Sequence, residues 1–186
     1  LLVSPNEMKN KFVSLINNEI KNKKAGKPAY IKIKINHITD PVMVNKLYEA
    51  SAAGVDIDLV VRGNCSLVTD IPGVSSNIRI HGIIDRYLEH SRIFVFAAGG
   101  EEKVFIGSAD WMPRNLDNRV EVITPIYDPV IKEEMKRIVE YGLADTMQGR
   151  IVDGRGGNEF WESKDGTLFR SQEALYNYYL AENQKD

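Results

Sequence analysis

A strand–helix–strand unit near the N-terminus most constrains the fold of this 186-residue chain. Residues 30–36 alternate apolar and polar side chains as a strand does, and residues 55–62 form a second, largely apolar strand. Between them, Asp40 and Pro41 begin a predicted helix that ends at Gly54. A helical connection of this length allows the two strands to pair in parallel. The unit therefore predicts an α/β domain whose sheet contains parallel strands.

The rest of the sequence adds strands and helices around this unit. At the N-terminus, residues 4–7 (Ser-Pro-Asn-Glu) have the pattern of a capping box, which predicts a helix from there to about Lys21. We interpret residues 1–186 as one α/β domain, with a mixed β-sheet flanked by helices. The further predicted elements are strands at 77–81, 92–97, 103–107 and 119–124, helices at 129–143 and 171–182, and a Gly-rich loop at 150–166.

Composition excludes several classes of protein. The chain is 43% hydrophobic and 27% charged, as globular proteins are, and its formal net charge is −2. A bound polyanion would therefore need a local cluster of cations, and a general nucleic-acid binder is disfavoured. One cysteine excludes an internal disulfide, and no apolar run approaches the ~18 residues of a membrane span. Because the chain starts without Met, we interpret it as a piece of a longer polypeptide.

Candidate chemistry is concentrated between residues 89 and 119. Glu89-His90-Ser91-Arg92 precedes a predicted strand, the next strand ends in Gly107-Ser108-Ala109-Asp110, and Arg114 and Arg119 follow. An imidazole can accept, donate or carry a phosphoryl group near neutral pH. Guanidinium groups offer forked donors to phosphate oxygens. The pattern is therefore that of a phosphoryl-transfer site.

The positions of these residues on the predicted sheet suggest how they meet. Ligands of α/β sheets bind at the carboxyl ends of strands; Arg62 ends one predicted strand, and Gly107-Ser108 ends another. His90 precedes its strand instead. It reaches the same edge only if that strand runs antiparallel to the other two.

Structural interpretations of the same residues remain open at this point. A lone histidine at the start of a strand, such as His90, is more often structural than catalytic. Arg119 could simply pair with Asp117 or Glu121, and Trp111 is expected to be a core or lid aromatic. The residues to which we assign no function are His37, His81 and Cys65.

The motifs partly resemble those of the phospholipase D superfamily, whose signature is H-x-K-x4-D followed by G-S-x-N. His90 is in place, with Arg92 at the Lys position. The Asp position falls on Ala97, so that carboxylate is missing, and Asp110 occupies the position of the final Asn.

A more specific resemblance is to the last domain of bacterial polyphosphate kinases. It runs in order, without large gaps, from about Lys34 to Asp145, and the flanking helices fit it too. The stretches that carry it are Ile57-Asp58-Leu59-Val60-Val61-Arg62-Gly63, Asp85-Arg86-Tyr87-Leu88-Glu89-His90-Ser91-Arg92, Ser108-Ala109-Asp110-Trp111-Met112-Pro113-Arg114-Asn115-Leu116-Asp117 and Arg119-Val120-Glu121-Val122.

The resemblance implies a reversible ATP:polyphosphate phosphotransferase that uses Mg²⁺, with ATP, ADP and inorganic polyphosphate as ligands. The histidine that becomes phosphorylated lies in the penultimate domain, outside this chain. His90 would be a second histidine, acting as general acid or phosphate contact, and Arg62 and Arg119 would bind nucleotide phosphates or polyphosphate. Possible supporting residues are Arg92, Ser108, Asp110 and Arg114.

The resemblance also implies a context for the chain. The magnesium contacts and the adenine-stacking aromatic belong to preceding domains, so we expect no complete metal site here and an inactive fragment. The full-length enzyme would be a cytoplasmic homo-oligomer, open to peripheral membrane association, that does not act on nucleic acid. Because Ala97 replaces the usual aspartate, we suggest Glu89 as the group that orients His90.

Two other functions stay open. One is a phospholipase D-like phosphodiesterase that dimerises to join two His90 sites. The other is a non-catalytic polyphosphate-binding module.

Overall fold

The computed structural model describes residues 1–184, so residues 185 and 186 of the predicted domain lie outside the described part. Eight strands form one sheet in the order β1-β7-β6-β5-β2-β3-β4-β8. The strands are β1 (Leu2–Ser4), β2 (Tyr30–Ile35), β3 (Asp56–Val61), β4 (Ile78–Ile83), β5 (Ile93–Phe96), β6 (Lys103–Gly107), β7 (Glu121–Ile126) and β8 (Gly149–Ile151). The helices are α1 (Met8–Lys24), α2 (Pro41–Ala52), α3 (Pro129–Ala144) and α4 (Ser171–Glu182).

The centre of the sheet is parallel and its margins are antiparallel. Strand β3 pairs in parallel with both β2 and β4, as the strand–helix–strand unit predicts. Strand β5 pairs antiparallel with β2, and β6, β7 and β1 continue that alternation outward. The predicted fold class, an α/β domain with a mixed sheet flanked by helices, is confirmed.

Helices cover both faces of the sheet because the strands present apolar side chains to both. On β2, Ile31 and Ile33 join the main core, formed with α1 and α2. On β5, Ile93 and Val95 point to the opposite face and pack with Val139 of α3 in a second cluster. Alternation along each strand thus separates two helical layers.

The prediction of an N-terminal capping box at residues 4–7 is wrong. Ser4 lies in the edge strand β1, which pairs with β7, and helix α1 starts only at Met8. The Ser4 hydroxyl donates to the Arg119 carbonyl oxygen at 2.7 Å and accepts the Glu121 N–H at 3.0 Å. These partners are more than 110 residues away, so the local pattern could not reveal them.

The Gly-rich stretch is also not entirely a loop. Its residues 150 and 151 belong to β8, which pairs antiparallel with β4 at the other edge of the sheet. Three residues of strand give too short an alternation to be read from sequence. In residues 1–184, no helix has the length and apolar character needed to cross a membrane.

Trp111 is a core residue, in agreement with the simpler expectation. It is fully buried, and its ring centroid lies 5.2 Å from that of Phe12 and 5.7 Å from that of Phe94. The tryptophan therefore anchors the segment that follows Asp110 to the sheet and to α1.

His81 is a buried histidine under the Gly-rich segment. Its side chain on β4 is 5% exposed, its ring centroid lies 4.7 Å from that of Trp161, and its Nδ1 has no hydrogen-bond partner among the described residues. Burial lowers the pKa of His81 below its ordinary value, with the charge of Asp58 opposing that effect. Burial therefore favours the neutral form of this ring in the folded protein.

We predict that His81 makes the fold sensitive to mild acid. Because the folded-state pKa is lowered, the unfolded chain takes up the proton first, so stability is full above the unfolded value of about 6.5 and falls as pH drops through it. Replacing His81 by Phe should flatten the change in unfolding free energy between pH 5.5 and 7.5 by roughly 1 kcal/mol. Denaturant titrations at the two pH values measure the unfolding free energy of each protein. The same change in unfolding free energy between the two pH values in both proteins would contradict the prediction.

Candidate functional site

A cleft of about 370 Å³ lies at the edge of the sheet where β2, β3 and β6 end. Because β5 and β7 are antiparallel to their neighbours, they begin at this same edge. His90 therefore reaches the carboxyl ends of the parallel strands, as the prediction required. The residues that line the cleft are His37, Arg62, His90, Arg92, Ser108, Asp110, Arg114, Asn115, Arg119 and Glu121.

The structure thus brings together all seven residues that the sequence singled out. Their roles stay predictions, since placement alone does not test them. The cleft contains four arginines and two carboxylates, so it is locally positive although the whole chain is slightly acidic. This is the local cation cluster that binding of a polyanion requires.

An ion pair between Arg92 and Asp110 forms the floor of the cleft. Arg92 Nη2 lies 2.9 Å from Asp110 Oδ2, and Arg92 Nε donates to Oδ1 at 3.3 Å. The two side chains are only 9% and 6% exposed. Asp110 Oδ1 also accepts the backbone N–H groups of Asn36 and His37 at 3.0 and 3.1 Å. One carboxylate therefore joins β5, the end of β2 and the loop after β6.

Arg92 also holds His90. Its Nη1 donates to the His90 carbonyl oxygen at 2.8 Å and contacts the ring Nδ1. Since a guanidinium has donors only, Nδ1 must accept, and the proton of the neutral ring is then on Nε2. With Nδ1 accepting from Arg92, Nε2–H is the remaining hydrogen-bonding group of the ring.

The suggestion that Glu89 orients His90 is wrong. The Glu89 carboxylate instead accepts from Lys34 Nζ at 2.7 Å and from Gln172 Nε2 at 3.3 Å. Adjacent residues in extended chain point to opposite sides, which is why the carboxylate is turned away from the ring. The ring partner is the Arg92 guanidinium.

The other three arginines differ in how many of their donors already form hydrogen bonds within the domain. Arg62 Nη1 donates to the Glu89 carbonyl oxygen at 2.7 Å, so part of this guanidinium holds the loop before His90. Arg114 and Arg119 are exposed, and their side chains make no hydrogen bond or ion pair within residues 1–184. Their donors are therefore free to bind an anion.

Arg119 does not form the simple surface pair that the sequence allowed. Asp117 accepts instead from Lys9 at 2.6 Å. Glu121 accepts from Asn115 Nδ2 at 2.7 Å and from the Ser108 hydroxyl. Both carboxylates are thus committed elsewhere.

Ser108 is a link within the cleft wall. Its hydroxyl donates to Glu121 and accepts the Val122 N–H at 3.3 Å. The preceding Gly107 is required by close packing, because a Cβ there would lie 2.2 Å from the Val122 carbonyl oxygen. The Gly-Ser pair therefore keeps β6 close against β7 at the edge of the site.

Three residues of the cleft were not predicted: Asn115, Glu121 and His37. His37 follows β2, and its Nδ1 accepts the Asn64 N–H at 3.0 Å, which again leaves the ring proton on Nε2. A Cβ on Gly63 would lie 2.4 Å from the His37 ring, so this glycine makes room for it. The position of His37 just after the carboxyl end of a predicted strand was the sequence signal that could have identified it as a cleft residue.

The cleft carboxylates do not fit a divalent cation. Asp110 is committed to Arg92 and to two amides, and Glu121 to Ser108 and Asn115. No group of three or more His, Cys, Asp or Glu that could hold a metal occurs in the described part of the chain. Cys65 is a free thiol whose pKa is raised by burial.

We predict that the Arg92–Asp110 pair is needed for stability. Asp110→Ala should lower the free energy of unfolding by roughly 3–5 kcal/mol, because it leaves a buried guanidinium unpaired. Asp110→Asn should cost less, since its amide oxygen still accepts the two backbone N–H groups. Urea unfolding measures both. Asp117→Ala, which removes an exposed carboxylate, is the control and should cost under about 1 kcal/mol. Similar losses for Asp110→Ala and Asp117→Ala would contradict the prediction.

Comparison with known proteins shows the family to which the chain belongs. Residues 1–172 match the family model described as polyphosphate kinase C-terminal domain 2. Polyphosphate kinase from Vibrio cholerae is 46% identical over 178 residues, which are 96% of this chain and 25% of the relative. The enzyme from Escherichia coli strain CFT073 is 39% identical over 186 residues, which are 100% of this chain and 27% of the relative.

Solved structures agree. The crystal structure of polyphosphate kinase from Porphyromonas gingivalis superposes with a TM-score of 0.94 at 43% identity, covering 100% of this chain and 28% of that one. Nuc from Salmonella typhimurium, a phospholipase D family member, superposes with a TM-score of 0.56 at 15% identity, covering 81% of this chain and 95% of its own. At that identity the likeness to Nuc concerns the fold alone. The chain spans about a quarter of the length of the polyphosphate kinases it matches, and it belongs to the polyphosphate kinase family as its second C-terminal domain.

Proposed function

We propose that the protein containing this chain reversibly transfers the terminal phosphate of ATP to inorganic polyphosphate. The observation that carries the proposal is the convergence of His90 with Arg62, Arg114 and Arg119 on one open cleft. Phosphoryl transfer is mostly positioning and charge neutralisation, and unengaged guanidiniums around an imidazole supply both. This domain contributes one side of the site.

In this proposal His90 contacts a phosphoryl oxygen through Nε2–H. Arg92 occupies Nδ1, so the ring presents one fixed donor to the cleft. A donor preorganised toward developing charge lowers the barrier without moving a proton. The histidine that accepts the phosphate would belong to the preceding domain.

Arg114 and Arg119 bind the polyanion in this proposal, and Arg62 divides its donors between the ligand and the Glu89 carbonyl. Magnesium would enter with ATP and be held by phosphate oxygens and by other parts of the protein, because the cleft carboxylates are already paired. The proposal also includes a cytoplasmic homo-oligomer that does not act on nucleic acid.

A dimeric phosphodiesterase fits the site less well. Position 97 carries a buried alanine where the hydrolases have aspartate, and a cation rather than a carboxylate contacts the His90 ring. A non-catalytic polyphosphate-binding module uses the same arginines and differs only in context. Activity of the full-length protein separates these functions.

The first test is His90→Ala in the full-length protein. Loss of the donor should lower the rate of polyphosphate synthesis from ATP by about 100-fold or more. His81→Phe is the matched control, because that histidine is buried away from the cleft, and it should retain synthesis. Retained synthesis in His90→Ala would contradict the assigned role, and synthesis by neither the variants nor the parent protein would contradict the proposed function.

The second test is binding of polyphosphate to the 186-residue chain. Affinity should fall steeply with salt, because cationic contacts to a polyanion release counterions. Arg119→Ala should weaken binding and reduce the slope of log affinity against log salt by about one. Lys24→Ala removes a cation at the C-terminal end of α1 that does not line the cleft. It should change neither the affinity nor the slope. Equal slopes for Arg119→Ala and the parent chain would contradict the contact.

A further inference from the structure

The segment that carries His90 has no regular structure of its own. It connects β4 to β5, and on it Ile84 is 77% and Leu88 80% exposed. A segment with little apolar burial is held only by its polar contacts, so these decide where the His90 backbone lies.

The start of α4, together with Arg170 directly before it, supplies many of those contacts. Arg170 donates to both carboxylate oxygens of Asp85, through Nε at 2.9 Å and Nη2 at 2.6 Å. Gln172 pairs with the backbone of Tyr87 in both directions, accepting its N–H and donating to its carbonyl oxygen, each at 2.8 Å. Gln172 also donates to Glu89 at 3.3 Å.

The sheet holds the same segment from the other side. Lys34 of β2, 5% exposed, pairs with the Glu89 carboxylate at 2.7 Å, and Arg62 donates to the Glu89 carbonyl oxygen at 2.7 Å. Glu89 therefore lies between the sheet and Gln172. The next residue in the chain is His90.

A buried carboxylate fixes the start of α4. Asp145, fully buried after α3, accepts the Ser171 N–H at 2.8 Å and the Ser171 hydroxyl at 2.6 Å through one oxygen. Its other oxygen accepts the N–H groups of residues 147–149 at 2.7–3.3 Å. The first turn of α4 is thereby tied to the body of the domain.

We propose that Gln172 and Arg170 are positioning residues for His90: they fix residues 85–89, and so set where the His90 ring stands in the cleft. The function this serves rests on the proposed phosphotransferase. Neither side chain lines the cleft, so both act through the segment rather than on the ligand. A misplacement of about 1 Å can cost about 100-fold in rate, so this support matters for turnover.

The test uses the full-length polyphosphate kinase that contains this domain. Gln172→Ala should lower kcat for polyphosphate synthesis about 10-fold or more, while the KM for ATP changes less than about threefold, because the phosphate-binding arginines remain. Hydrogen exchange of the peptide spanning 84–92 should become faster, since the Tyr87 N–H loses its acceptor. Asn177→Ala is the control, an exposed amide on the same helix, and should leave all three quantities unchanged.

Unchanged exchange in Gln172→Ala would overturn the contact, and faster exchange with unchanged kcat would overturn the positioning role. If that variant does not fold, the pair Arg170→Asp and Asp85→Arg continues the test. Each single change should lower kcat and the double change should restore it. A double variant with restored thermal stability but not kcat would overturn the proposal.

A parent protein that makes no polyphosphate would overturn the proposed function alone. Exchange at 84–92 would then still decide whether Gln172 holds the segment. Faster exchange in Gln172→Ala supports the inference, and unchanged exchange overturns it.

Discussion

The buried pair between Arg92 and Asp110 is the interaction on which the site depends. It joins three elements that are remote in sequence: β5, the end of β2 through two amides, and the loop after β6. A buried ion pair needs additional hydrogen bonds to offset its desolvation, and both partners have them. The same guanidinium then sets the tautomer of His90. One guanidinium therefore holds both the Asp110 carboxylate and the His90 ring.

The pair also explains how the site differs from the phospholipase D pattern. Arginine and aspartate stand where that pattern has lysine and asparagine, so a charged pair replaces a cation and an amide. With a guanidinium at Nδ1, the His90 ring keeps Nε2–H as its free hydrogen-bond donor. Arg114 and Arg119, which are left unengaged, leave the cleft with free guanidinium donors.

The sequence predicted secondary structure best where interactions between residues close in sequence determine it. The alternation in β2, the apolar run in β3 and the Asp-Pro start of α2 each predicted an element that is present, because strand period and helix capping act over a few residues. The capping box at Ser4 was wrong for the converse reason. Its hydroxyl is used by residues 119 and 121, and pairing with β7 prevailed over the local helix signal.

The sequence by itself determined the fold class, the family and seven of the ten residues that line the cleft. The tertiary structure decided that β5 runs antiparallel to β2, which brings His90 to the same edge as Arg62 and Arg119. Only the tertiary structure decided which groups are engaged. Glu89 is turned to Lys34 and Gln172, and His37 lines the cleft. These outcomes depend on contacts between residues tens of positions apart, and no local pattern records the direction in which a side chain points.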